Sequence, residues 1–320
     1  MPIDPVARRA RRAARRLVGR PARDPAGWRA QAFAVDQRLT RRLMEPAPAG
    51  VQAEDVTAPV PGGQPVRLRV YSPSPPGERR RPAILTFFGG GFRQGGLDFA
   101  SVDLTNRRRA QDADAVIVAV DYALAPEHPF PEAVEQGHAA LQWLHGNASS
   151  IGADPDRGGV AGASSGGTIA AAVTLMNRDR DQIPLRLQLL EVPALDLTGG
   201  HIDRRLAWRL GAPPFLVARG LRQLAGQYLG GASAREPYAS PLLAPDLSGL
   251  PSAHVLTAEF DLLRGDGEAY AIRLREAGVP VQSRRFEGQT HESSFYTAAM
   301  AGARAWQAEV RSALRTLTRG

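Results

Sequence analysis

The sequence contains no cysteine and no lysine, and aromatic residues make up only 6% of its 320 residues. The absence of cysteine excludes disulfides, thiolate metal sites and a cysteine nucleophile. All 40 basic residues are therefore arginines, and the formal net charge is +8. We attribute the arginine usage to base composition rather than to a nucleic-acid-binding surface. No apolar run approaches the roughly 20 residues that a membrane-spanning helix needs.

The beginning of the chain is rich in arginine but lacks the apolar core of a signal peptide. Because this segment also lacks interleaved aromatic residues, we interpret its basic side chains as a solvated helix face. We expect a cytoplasmic protein without a membrane span and without a nucleic-acid partner. The basic residues concerned are Arg8, Arg9, Arg11, Arg12, Arg15 and Arg16.

Hydrophobic residues make up 43% of the chain, enough for one large core and a single catalytic unit. Residues 66–71 alternate between apolar and polar, as in a half-buried strand. Four later runs, at 82–88, 115–120, 185–192 and 253–258, are apolar on both faces and are separated by helical segments. This pattern predicts an α/β fold with a mostly parallel, doubly wound sheet. Such sheets bind ligands at the carboxyl ends of their strands.

Two helical regions lie outside this strand pattern. Residues 1–45 are predicted to form N-terminal cap helices. Residues 200–235, where the alternation of strands and helices is interrupted, are predicted to be inserted cap helices. The catalytic core would then comprise residues 46–199 and 236–320. The alternative for 200–235 is an ordinary crossover helix.

A candidate nucleophile lies in the segment Gly162-Ala163-Ser164-Ser165-Gly166-Gly167. It matches G-x-S-x-G, the sharp strand-to-helix turn that holds a serine hydroxyl clear of the backbone. With 33 glycines in the chain, the match alone is weak. Ser164 therefore needs a base, an orienting acid and an oxyanion hole elsewhere in the sequence.

The acid and the base are expected to follow Ser164 in the chain, because serine hydrolases built on such a sheet have the chain order nucleophile, acid, histidine. Of the six histidines, only His291 follows a plausible acid at the end of a late strand. Asp261 is the predicted acid, while Glu259 and Asp266 are alternatives.

The glycine-rich segment after residue 87 is a candidate oxyanion hole. Backbone N–H groups can approach a substrate closely where side chains are absent. We predict the N–H groups of Gly89, Gly90 and Ser165 as the donors. A phosphate-binding loop is disfavoured, because the G-x-G-x-x-G pattern and the P-loop lysine are absent.

Taken together, these segments resemble the ordered motifs of the hormone-sensitive-lipase-like branch of the α/β-hydrolases, over roughly residues 56 to 300. The resemblance implies hydrolysis of carboxylic esters by a serine esterase or lipase, helical caps, no metal, no organic cofactor and frequent dimerisation. The matching segments are residues 88–92, 121–131, the Ser164 turn, 240–242, 258–261 and His291.

Several residues depart from the family pattern near the predicted site. Phe88 stands where a histidine is usual and Ala163 where an acidic residue is usual, which suggests that a polar contact has been exchanged for an apolar one. Glu292 follows the predicted catalytic histidine, where the alternatives are that it raises the basicity of the imidazole or that it points to solvent. We predict that Phe88, Phe92, Arg93 and Glu292 line the substrate site. One hypothesis for Arg93 is that it binds an acidic group of the substrate, and the alternative is a solvated arginine.

The predicted function is hydrolysis of small to medium carboxylic esters through an acyl-enzyme on Ser164. One alternative is a lyase or cyclase of a biosynthetic pathway on the same scaffold. A second is a catalytically silent small-molecule binding protein.

Overall fold

The computed structural model describes residues 2–18, 22, 24–73 and 80–318, without the side chains of residues 11, 15 and 18. Glycine and proline also predict interruptions of the regular structure at residues 19–21 and 72–77; residues 19–21 and 74–77 lie outside the described residues, whereas residues 72 and 73 end a strand. No helix in the described ranges is long and apolar enough to cross a lipid bilayer.

The strands form one mixed sheet. Their bounds are β1 Val51–Ala58, β2 Val66–Pro73, β3 Arg81–Phe87, β4 Val116–Val120, β5 Ala153–Ala163, β6 Leu187–Glu191, β7 Ser252–Phe260 and β8 Val281–Thr290.

Helices precede, separate and follow the strands. They are α1 Pro5–Val18, α2 Pro25–Leu43, α3 Ala100–Ala113, α4 Glu132–Asn147, α5 Ser165–Arg180, α6 Arg204–Arg209, α7 Pro214–Leu229, α8 Arg264–Glu276 and α9 Ala301–Arg315. Short 3-10 turns lie at Ala148–Ile151, Pro241–Leu243, Ser293–Phe295 and Thr316–Thr318.

The strand order in the sheet is β1-β2-β4-β3-β5-β6-β7-β8. β1 pairs with β2, and β2 with β4, in antiparallel fashion, whereas every pairing from β4 to β8 is parallel. The predicted α/β class with a mostly parallel sheet is therefore confirmed. The parallel strands direct their carboxyl ends to one edge, where the loops after β3, β5, β7 and β8 meet.

The central strands are apolar on both faces because helices cover both faces. Every residue of β4 and β6 is buried. One core cluster includes Leu85, Val118 and Val173, and a second, on the opposite face, includes Ile117, Leu189 and Trp306. This two-sided burial explains why these strands read as continuous apolar runs.

The element boundaries differ modestly from the sequence predictions. β6 is shorter than the predicted 185–192, and the first helix of the predicted 200–235 insertion begins at Arg204. The helix begins there because Asp203 caps it, accepting a hydrogen bond from the Leu206 N–H at 2.8 Å.

Two of the helices outside the strand pattern contact the loops at the carboxyl edge. Arg29 of α2 donates to the backbone oxygens of Arg93, at 2.9 Å, and Ala125, at 3.1 Å, and forms an ion pair with Glu127. Leu224 of α7 lies over Gly91 in the loop after β3. α2 and α7 thus lie beside the glycine-rich loop.

Candidate active site

Ser164 lies at the turn between β5 and α5. Its backbone has φ 55° and ψ −120°, a strained combination for a residue with a side chain. The turn requires glycine at positions 162 and 166. A Cβ on Gly162 would overlap the backbone of Gly166, and a Cβ on Gly166 would overlap the carbonyl of Phe87. The Ser164 N–H donates to the Glu191 backbone oxygen at 2.9 Å, which ties the turn to β6.

The structure brings Ser164, His291 and Asp261 together. Asp261 follows β7, and His291 follows the adjacent strand β8. His291 Nε2 lies 2.9 Å from Ser164 Oγ, and its Nδ1 lies 2.8 Å from Asp261 Oδ2. The hydroxyl, imidazole and carboxylate therefore form a continuous hydrogen-bonded chain, the geometry of a serine nucleophile with its base and orienting acid.

Asp261 is almost fully buried, at 3% exposure. Its Oδ1 accepts the Leu263 N–H at 2.9 Å, which fixes the carboxylate while Oδ2 faces the imidazole. Burial lowers the pKa of His291, but the carboxylate of Asp261 outweighs it and, with a smaller contribution from Glu292, raises the pKa to about 9. The site therefore stabilises the imidazolium that forms when the base takes a proton.

Neither alternative acid contacts His291. Glu259 accepts the Gly288 N–H at 2.8 Å. Asp266 accepts the backbone N–H groups of Leu195 and Asp196 at 2.9 and 3.0 Å. These carboxylates therefore hold loops around the site, and Asp261 is the one within reach of the imidazole.

The glycine-rich loop packs directly on the serine turn. A Cβ built on Gly89 would lie only 2.9 Å from the Ala163 oxygen and 3.3 Å from Ser164 Cβ. The Gly90 N–H donates to the hydroxyl of Ser165 at 3.1 Å. Ser165 begins α5, so its own N–H is among the first-turn amides that lack an intrahelical acceptor. The predicted oxyanion donors thus lie in two segments that pack against each other at the Ser164 turn, and the Gly90 amide donates to a side chain.

The aromatic residues of this loop are buried rather than open to a ligand. The Phe88 ring stacks on Tyr122 at 4.2 Å between centroids, and the Tyr122 hydroxyl donates to the Phe88 oxygen at 2.7 Å. Phe92 is 1% exposed and stacks on Tyr228 at 3.8 Å. Burial of Phe92 argues against the substrate contact predicted for it, because its ring already fills a core position.

Arg93 and Glu292 occupy different surroundings. The Arg93 guanidinium lies over the Trp28 ring of α2, 5.1 Å from its centroid. It has a cation–π partner, so the predicted contact with an acidic substrate group would compete with Trp28. Glu292 is exposed and close enough to raise the pKa of His291.

A buried polar cluster behind the serine turn was not predicted. Glu191, 1% exposed, forms an ion pair with Arg109 of α3, and its Oε2 accepts the Trp306 Nε1–H at 2.7 Å. Because the Glu191 backbone oxygen also accepts the Ser164 N–H, the cluster supports the strand that holds the turn. The sequence signal for this cluster is Glu191, an acidic residue at the end of an apolar strand. The sequence does not indicate that its partner is Arg109.

No cluster of three or more His, Asp or Glu side chains that could hold a metal ion occurs among the described residues. The chemistry available at this edge is that of an activated hydroxyl, a base and backbone donors. Such a set suits attack on a carbonyl group and stabilisation of the resulting oxyanion.

Comparisons with known proteins identify the family to which this chain is similar. A family profile described as "alpha/beta hydrolase fold" matches residues 84–295. The chain is 38% identical over 261 residues to esterase LipI of Mycobacterium tuberculosis, which covers 81% of this chain and 80% of the relative. It is 36% identical over 230 residues to an arylesterase of Saccharolobus solfataricus, covering 70% and 71% of the two chains.

The solved structures that resemble this chain include the hyperthermophilic esterase of the archaeon Pyrobaculum calidifontis. The two superpose with a TM-score of 0.87 and 35% sequence identity, over 99% of each chain. The bacterial heroin esterase gives a TM-score of 0.83 at 31% identity, over 99% of this chain and 98% of the other.

Proposed function

The chain belongs to the alpha/beta hydrolase fold family, in its hormone-sensitive-lipase-like branch, and from this membership we propose that it hydrolyses small to medium carboxylic esters. The observation that carries the proposal is the chain of contacts from Ser164 Oγ to His291 Nε2, at 2.9 Å, and from His291 Nδ1 to Asp261 Oδ2, at 2.8 Å.

In the first step, Ser164 Oγ attacks the ester carbonyl carbon while His291 Nε2 takes the hydroxyl proton. The carbonyl π bond becomes an oxyanion, and Asp261 stabilises the imidazolium and holds its orientation. Collapse of the tetrahedral intermediate breaks the bond to the leaving oxygen. That oxygen takes the proton from His291 and departs as the alcohol, leaving an acyl group on Ser164.

In the second step, water replaces the alcohol. His291 removes a proton from the water as it attacks the acyl carbon, and a second tetrahedral intermediate forms. Its collapse returns the proton to Ser164 Oγ and releases the carboxylic acid. The same base thus serves both halves of the reaction.

The oxyanion is stabilised by the N–H groups of Gly89, Gly90 and Ser165 in this proposal. The resting hydrogen bond from Gly90 to the Ser165 hydroxyl, at 3.1 Å, holds the loop close to the nucleophile. When the oxyanion forms, the Gly90 amide turns from that hydroxyl to the stronger, charged acceptor. Each such donor contributes on the order of 10²–10³ in kcat.

The helical regions complete the proposal. Residues 1–45 and 200–235 act as caps over the core formed by 46–199 and 236–320, as supported by the contacts of α2 and α7 with the glycine-rich loop. Cytoplasmic location and dimerisation stay predictions from the sequence and from the family resemblance.

The test is hydrolysis of nitrophenyl esters of increasing acyl length by the wild type and by Ser164→Ala. We expect the wild type to cleave the shorter esters, and the variant to lose this activity while remaining folded. Activity retained in the variant would exclude Ser164 as the nucleophile. An inactive wild type would favour the lyase or binding-protein alternatives.

A further inference from the structure

The most exposed large apolar side chains described in the structure include two that flank one turn. Trp208, at the end of α6, is 66% exposed, and Phe215, at the start of α7, is 69% exposed. Leu216 beside them is 51% exposed. Exposed apolar side chains grouped in this way usually mark a binding surface. We name residues 204–222, which contain them, the α6–α7 tip.

The charge of the α6–α7 tip has one sign. It contains no Asp or Glu, and all of its arginines are exposed. None of them forms an ion pair within the part of the chain that the structure describes, and Arg209 lies over the Phe260 ring, 6.0 Å from its centroid. The arginines are Arg204, Arg205, Arg209, Arg219 and Arg222.

The other end of α7 reaches the active site. Leu224 lies against Gly91 of the glycine-rich loop, and Tyr228 stacks on Phe92. Phe215 and Leu224 are nine residues apart, which is about 14 Å along a helix. The α6–α7 tip therefore begins the same helix that contacts the glycine-rich loop beside Ser164.

We infer that the α6–α7 tip docks on an anionic lipid surface, with Trp208, Phe215 and Leu216 entering the headgroup region and the arginines binding anionic headgroups. Apolar side chains flanked by basic residues are the combination that binds such an interface. A symmetric contact with a second copy would bring the same arginines together, and a nucleic acid would leave the apolar side chains without a partner.

The consequence for the substrate rests on the proposed function: docking would present esters of amphiphilic molecules to Ser164. The docking itself does not depend on catalysis. The binding experiment can therefore be carried out with Ser164→Ala, so that a failed esterase assay and a failed docking assay remain distinguishable.

The experiment is cosedimentation with phosphatidylcholine vesicles prepared with and without phosphatidylglycerol. We expect binding only when phosphatidylglycerol is present, accompanied by a blue shift of tryptophan fluorescence. The triple variant Trp208→Ser, Phe215→Ser, Leu216→Ser should bind the vesicles with an affinity reduced by about tenfold or more, because most of the inserted apolar surface is lost. Its hydrolysis of a soluble short-chain ester should equal that of the wild type, which also shows that it is folded.

Two matched controls complete the design. Ile272→Ser removes a side chain that is 54% exposed on α8, outside the tip, and should leave binding unchanged. Arg205→Gln with Arg219→Gln should weaken binding, whereas Arg80→Gln with Arg186→Gln, which removes two exposed arginines outside the tip, should not. The inference is overturned if the wild type does not bind these vesicles, if the triple variant binds as the wild type does, or if ultracentrifugation shows that the tip instead holds a dimer together.

Discussion

His291 and Asp261 are joined by a contact of 2.8 Å between Nδ1 and Oδ2, at the ends of neighbouring strands β8 and β7. The carboxylate outweighs the effect of burial and raises the pKa of His291 to about 9, with Glu292 adding to the rise. Since His291 must be neutral to accept the proton of Ser164, this relationship sets the pH at which the site can work.

Glu292→Gln is expected to shift the pH dependence of activity. The wild type should show a rise in kcat/KM with an inflection near pH 9, where His291 loses its proton. Removing the negative charge of Glu292 lowers the pKa of His291, so the inflection should move to lower pH. The measurement is a pH profile of kcat/KM for a soluble ester.

Glu287→Gln is the control for that profile, because Glu287 is exposed nearby and does not contribute to the pKa of His291. Its profile should match that of the wild type. An inflection in Glu292→Gln that is unchanged, or that moves to higher pH, would contradict the assigned effect of Glu292.

Arg109→Leu is expected to destabilise the protein by about 3–5 kcal/mol, because it leaves the Glu191 carboxylate buried and unpaired. The double variant Arg109→Leu, Glu191→Leu should lose less than the sum of the two single variants. Urea unfolding of all four proteins gives the coupling energy. Additive losses would show that the two side chains do not depend on each other.

Asp266→Asn tests a buried carboxyl group. Burial raises the pKa of Asp266 to about 7, despite the hydrogen bonds from the Asp196 and Leu195 amides. Between pH 3.8 and 7 the folded protein binds a proton that the unfolded chain releases, so this group's contribution to stability falls as pH rises through that window. The free energy of unfolding of the wild type, relative to Asp266→Asn, should therefore decrease from pH 5 to pH 8.

Asp156→Asn provides the comparison for that experiment, since Asp156 is exposed. Its stability relative to the wild type should not change over the same pH range. A difference between the wild type and Asp266→Asn that stays constant, or grows with pH, would rule out a proton held by Asp266.

Much of the fold could be predicted from sequence, because strands buried on both faces leave long apolar runs and the Ser164 turn leaves its glycines. The grouping of Ser164, Asp261 and His291 followed from their chain order and from their positions after predicted strands. The surroundings of individual side chains were harder to predict from the sequence. Phe92 was predicted to contact the substrate, yet its ring is buried against Tyr228. No pattern in the sequence around Phe92 indicates that partner.

The Arg109–Glu191 pair illustrates the same limit. The two residues are 82 positions apart, one on a helix and one on a strand. The sequence around each residue gives no indication of its partner. The hydrogen bond from Gly90 to Ser165 likewise joins a loop and a helix start that are 75 residues apart in the chain. Such contacts depend on tertiary packing, which single-sequence periodicity does not encode.

The central claim is that Ser164 carries the acyl group, and it is tested most directly by trapping the nucleophile. The protein is treated with a nitrophenyl phosphonate ester, which forms a stable bond to an activated serine, and the modified residue is located by mass spectrometry. The account predicts an adduct on Ser164 that is absent from Ser164→Ala. An adduct on the neighbouring Ser165, or one that persists in Ser164→Ala, would contradict it.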